Sequence, residues 1–280
     1  MPTEWQYAQA WILDNGDDEL GALGGRDDTL RFLHAHGFER LAVKLQDGQT
    51  EINQGLVLEL NRRAGELGLP VRAGGWSQNR EQAHDDAEKA NGLRLRENAA
   101  FWIATTEFEY KGSQPPAGAT DLTGDQQRWL RMSTFLDRWA QIAAGFPLAI
   151  AYMPNEPRGE AFDWGAIDRA RARLCSECYP NEFPNAPGQW PHEAQDAVNA
   201  RFGRQHRGAF HHPILGFHQP SGAVDVSGDR YVESMRRSQQ AGFTVGYGVY
   251  ALIHLEDADW RALAAVNKPQ GTAGALAWTS

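Results

Sequence analysis

Glu107 and Glu109 close an apolar run over residues 101–110, and their type and spacing are the strongest chemical signal in the chain. Side chains two apart on a strand share a face, so the two carboxylates share either the inside of a barrel mouth or open solvent. Inside, neighbouring acids repel, and partial desolvation raises the pKa of at least one, which is how a general acid stays protonated near neutrality. In solvent, the same letters mark only a strand running out into a charged loop. A third acid, Glu177, stands near the downstream end of a later apolar run.

Acids so far apart in sequence need a fold that brings strand ends together, and the chain alternates accordingly. Apolar runs at 11–15, 40–46, 70–76, 101–109, 147–153, 173–179, 212–218 and 244–250 read as strands. Segments 27–36, 53–67, 80–90, 125–144, 164–170, 192–206, 228–241 and 257–266 carry apolar residues at helical spacing, as Leu56, Leu60, Ala64 and Leu67 show. Asp27, Asp28 and Asp125 stand where helices start, and Gly37, Gly68 and Gly242 where they end. Eight such pairs in 280 residues fit an α/β fold, a single (β/α)8 TIM barrel over residues 1–280. A doubly wound sheet competes, but the segment with Gly21, Gly24 and Gly25 lacks G-x-G-x-x-G spacing and reads as a flexible first loop.

Active sites in barrels lie at the carboxyl ends of the strands. Those ends hold Asp14, Lys44, Asp47, Trp76, Glu107, Glu109, Tyr110, Tyr152, Glu177, Tyr179, His218 and Tyr250. Acids interleaved with flat rings suit carbohydrate, since rings stack on the apolar faces of sugars and carboxylates serve hydroxyls or the glycosidic oxygen. Trp190, in the long loop over 180–191, offers a platform at the rim. Plainer readings stand beside these. Lys44 reads equally as a buried ion-pair partner, Trp76 as a core ring, His218 as a surface residue before a turn, and Asp14 as part of a solvated turn.

Lys and Arg total 27 against 36 Asp and Glu, a net charge of −9 that opposes non-specific attraction to nucleic acid or anionic lipid. Neither partner is expected. No run approaches the roughly 18 apolar residues of a membrane span, and the N-terminus has no signal-peptide profile. Cys175 and Cys178, three apart on a strand, face opposite sides and read as small core residues rather than a disulfide or chelate. No metal or cofactor is expected.

Four segments carry a resemblance: Lys44-Leu45-Gln46-Asp47-Gly48, Gly74-Gly75-Trp76, Thr106-Glu107-Phe108-Glu109-Tyr110-Lys111-Gly112 and Cys175-Ser176-Glu177-Cys178-Tyr179. In order and spacing they resemble the glycoside-hydrolase-like TIM barrels of tail proteins from phages of actinobacteria. Glu177 departs from that pattern, which has glutamine there. A more distant resemblance is to muramidase barrels, whose Asp-x-Glu aligns with Thr105 and Glu107, so their aspartate is missing. The resemblance implies a barrel in the virion tail, meeting bacterial glycan at the host surface beside other tail proteins. The residues themselves point to glycoside hydrolysis with Glu107, deeper in its strand and so more desolvated, as general acid and Glu109 or Glu177 as partner. Residues 271–280, rich in small residues but holding Leu276 and Trp278, are expected to pack on the barrel or lead to a further domain. The alternatives are an inactive barrel that binds host glycan and a purely structural tail module.

Overall fold

The computed structural model describes residues 8–79, 83–105, 124–152, 164–178, 214–216, 247–250 and 257–267. In chain order these form β1 (Ala8–Ile12), α1 (Gly16–Ala22), α2 (Arg26–Ala35), β2 (Phe38–Asp47), β3 (Thr50–Glu51), α3 (Leu56–Glu66), β4 (Arg72–Gln78) and α4 (Ala83–Arg96). There follow β5 (Trp102–Thr105), α5 (Gly124–Ile142), β6 (Leu148–Tyr152), α6 (Trp164–Ala170), β7 (Arg173–Cys178), β8 (Ile214–Gly216), β9 (Gly248–Tyr250) and α7 (Asp257–Asn267).

The sheet closes. β1 pairs in parallel with both β2 and β9, and the remaining strands follow in chain order around the ring, with β3 a short antiparallel extension of β2 outside it. From Lys44 the paired residues run through Trp76, Ile103 and Ala149 to Arg173. From Arg40 they run the other way, through Gln9, Gly248 and Ile214, to Glu177. Arg40 to Lys44 and Arg173 to Glu177 are each four residues, so the circuit staggers by eight, the shear of a TIM barrel.

Alternation along each strand splits the core into two layers. Leu41, Val43 and Leu45 of β2, Trp102 and Ala104 of β5 and Leu148 and Ile150 of β6 face the helices. Leu56, Val57, Leu60 and Ala64 of α3 and Met132, Phe135, Leu136 and Trp139 of α5 meet them at helical spacing. Trp11, Ala42, Trp76, Phe101, Ile103, Ala149, Ala151 and Cys175 fill the ring itself. The pair Gly74-Gly75 follows from this packing: a Cβ on Gly74 would lie 2.6 Å from the Phe101 ring inside, and one on Gly75 2.4 Å from Trp102 outside. Only glycine lets the rings of Phe101, just before β5, and Trp102, its first residue, cover both faces of β4.

Each barrel strand overlaps its expected run, though β1 forms over Ala8–Ile12 rather than 11–15; α4 forms over Ala83–Arg96 rather than 80–90, and α2, α3, α5, α6 and α7 match the expected helices to within a few residues. Gly37 and Gly68 take the left-handed conformation that ends a helix. One expectation is corrected: the glycine-containing first loop is in part helical, as α1. Its Gly16 is buried and its Asp17 and Asp18 occupy the first turn, where the helix dipole favours acids. The expected helices at 192–206 and 228–241 lie outside the described residues.

Candidate functional site

The carboxyl ends of β1, β2 and β4 form one wall of the barrel mouth, organised around Lys44. Its side chain is only 6% exposed, on the inward row of β2 above Ala42. Its ammonium is ion-paired with Asp14 Oδ1 at 2.6 Å and donates to Asp47 Oδ2 at 3.3 Å and to Gln78 Oε1 at 3.1 Å. The nitrogen also lies 5.2 Å from the Trp76 ring centre, within cation–π range. Of the two readings of Lys44, the geometry matches the buried ion-pair partner, a cation held between two mouth carboxylates.

Trp76 is likewise a core ring. It is 4% exposed, donates its indole N–H to Ile12 O at 2.9 Å and tilts against Trp11 at 5.3 Å. Asp14, by contrast, is mostly open to solvent, with its carboxylate anchored at Lys44. Asp47 is partly covered at the end of β2.

Two residues that the motif search passed over hold this wall together. Asn53, just before α3, donates from Nδ2 to Leu13 O at 2.8 Å and to Lys44 O at 2.9 Å, and its Oδ1 accepts the Gly16 N–H at 3.0 Å. Glu19 of α1 is buried, and its Oε1 accepts the Leu13 N–H at 2.9 Å. Burial pushes the Glu19 carboxyl up to about 7, against the pull of the Leu13 and Asn15 N–H groups and with a smaller push from the charge of Asp14. A buried acid interrupts no hydrophobic period, so the sequence gives Glu19 no signature. Gln78 was within reach, two residues beyond Trp76 on the same strand face.

The opposite wall carries Glu177 on β7, 4% exposed and on the same inward row as the free, buried Cys175. Burial, and after it the charge of Glu177, pushes the Cys175 thiol well up. That thiol stays protonated and inert. β7 lies four strands from β2 in either direction. One circuit from Lys44 reaches Arg173, while the other, begun four residues lower, reaches Glu177, so half the stagger sets Lys44 and Glu177 level on opposite walls.

The structure therefore brings Asp14, Lys44, Asp47, Trp76 and Glu177 to one ring of strand ends. Of Tyr152 and Tyr250 only the backbone is described. Tyr152 pairs with Ser176, in the row of Leu148 and Ile150, and Tyr250 pairs with Gly216, in the row of Gly248 and Ile214. Glu107, Glu109, Tyr110, Tyr179, Trp190 and His218 lie outside the described residues. Among the described residues no three His, Cys, Asp or Glu side chains gather as a metal site would need.

A closed eight-stranded ring of parallel strands with shear eight defines the chain as a (β/α)8 barrel, and solved structures share that fold. It is similar to the PgaB (BpsB) glycoside hydrolase domain from Bordetella bronchiseptica, at 12% identity over 95% of this chain and 99% of that one, with a TM-score of 0.64. It is similar also to the chitinase RmChi1 from Rhizomucor miehei, at 8% identity over 93% and 100% of the two chains, with a TM-score of 0.61. A chitinase-like lectin from tamarind matches at 10% identity over 92% and 98%, with a TM-score of 0.56. No protein-family model matches the sequence, and no curated protein does. At these identities the likeness is one of fold alone, a TIM barrel.

Proposed function

We propose that this chain is a glycoside hydrolase of a phage tail, acting on cell-wall or surface polysaccharide at the host surface, with other tail proteins as its neighbours. Glu107 is the general acid, and Glu177 is favoured over Glu109 as its partner carboxylate. The observation that carries this reading is Glu177 itself, a carboxylate buried on the inward row at the carboxyl end of a closed barrel, level with Lys44. Water exclusion at that level strengthens any charge interaction with a developing oxocarbenium ion. The similarity to a glycoside hydrolase domain and a chitinase supports the reaction class; the tail location rests on the four sequence segments alone.

Separation of the two carboxyls sets the stereochemistry, with about 5–5.5 Å suiting a retaining nucleophile and about 6.5–9.5 Å an inverting base that activates water. Glu107→Gln is the test. It abolishes the release of reducing ends while the melting temperature stays that of the wild type. A second reading, a barrel that binds glycan without cleaving it, draws on the burial of Lys44 in ion pairs and on the likeness to a lectin. It differs in outcome: saturable binding that survives Glu107→Gln, and no reducing ends from either protein.

A further inference from the structure

We infer that Asn53 is a positioning residue for the glycan-contacting wall, fixing Asp14 through the backbones of both strands that carry the Asp14–Lys44 pair; its glycan role rests on the reading above. The β1–β2 ladder makes its last pairing at Ile12 and Val43, and the register of β2 against β4 slips just after Lys44. Past that point the two strand ends have no ladder between them. The Asn53 amide supplies the missing rung, donating both N–H groups of Nδ2 to the next carbonyls, Leu13 O and Lys44 O. Its oxygen accepts Gly16 N–H, so one side chain ties β1, β2 and the start of α1.

Asp14 lies inside the segment so held. Leu13 is gripped in both of its flanking peptide groups, its N–H by Glu19 and its carbonyl by Asn53. Gly16 is packed so closely that a Cβ would sit 2.5 Å from Leu56. An exposed ion pair on a free loop is worth little, because two side chains and their backbone must be ordered to form it. Asp14 is 72% exposed, yet its backbone is ordered beforehand, so its remaining lone pairs are presented in one place to ligand hydroxyls or ammonium groups. That is preorganisation of a contact rather than catalysis.

Asn53 has φ +47°, in the left-handed region that glycine adopts freely. Asn53→Gly therefore removes the clamp without straining the chain. Asn53→Asp is the second variant: it turns an oxygen toward two carbonyls, and their repulsion displaces the side chain and with it the acceptor of the Gly16 N–H. In either variant the Gly16 amide exchanges with deuterium about tenfold faster or more in the full chain, with cooperative melting retained.

Affinity for chitotetraose or a muropeptide fragment, measured by calorimetry, falls about tenfold in Asn53→Gly. In an Asp14→Ala background the same substitution changes affinity less than about twofold, because Asn53 acts through Asp14. Fully additive losses, or Gly16 exchange unchanged in both variants, overturn the inference. Should the wild type bind neither saccharide, the glycan reading fails, and the exchange rates alone decide whether Asn53 holds the loop.

Discussion

The two walls of the mouth are built on opposite principles. On the β1–β2–β4 wall a buried cation is held by Asp14, Asp47 and Gln78, and the backbone beneath is tied by Asn53 and Glu19. On the β7 wall Glu177 is buried at the same level, on the row of a buried thiol. A network of paired charges holds geometry, and breaking it costs stability. Buried acids gather at functional sites. Under the proposed function the first wall serves binding and shape and the second bond cleavage.

Glu177→Gln should break the contrast most visibly. Turnover of a cleaved glycan falls about a hundredfold or more, in the range for losing an acid–base partner, while cooperative melting is retained. A parallel loss of fold and activity would place Glu177 with the structural wall instead. Lys44→Met acts the other way. It should lower unfolding free energy by about 2 kcal/mol in urea titrations, less than for a fully buried pair because Asp14 can rehydrate.

Glu19 sharpens the comparison through pH. Its carboxyl is raised from 4.5 to about 7 in the folded protein, so the folded chain holds a proton that the unfolded chain releases earlier. The stability this contributes is complete below pH 4.5, declines as pH rises and is gone above about 7. Glu19→Gln should flatten that decline, seen as urea midpoints that no longer fall between pH 4.5 and 7 as they do in the wild type. The smallest effect is expected from Asp14→Asn, about 0.5 kcal/mol or less in stability, as befits an exposed partner, with glycan affinity more affected than the fold.

The barrel was legible because every strand is a short apolar run bounded by turn residues, and ring closure follows once eight such runs alternate with helices. Boundaries were less so: the run read at 70–76 forms a strand over Arg72–Gln78, which moved Gln78 into the site unnoticed. α1 was hidden because Gly16, Asp17 and Asp18 are poor helix formers, and what holds them is tertiary, Glu19 and Asn53 gripping the turn. Lys44 carried two readings that sequence could not separate, since only the positions of Asp14, Asp47 and Gln78 decide between them. The Gly74-Gly75-Trp76 motif was recognisable as letters, but its cause lies on the neighbouring strand, in Phe101 and Trp102.

The most direct measurement is mass spectrometry of the products formed when wild type and Glu107→Gln are incubated with chito-oligosaccharides, peptidoglycan, arabinogalactan and capsule fragments. Shortened fragments from the wild type, with none from a Glu107→Gln protein that melts at the same temperature, are what this account predicts. Cleavage at equal rates by both proteins, or no product and no binding across all four substrates, would contradict it.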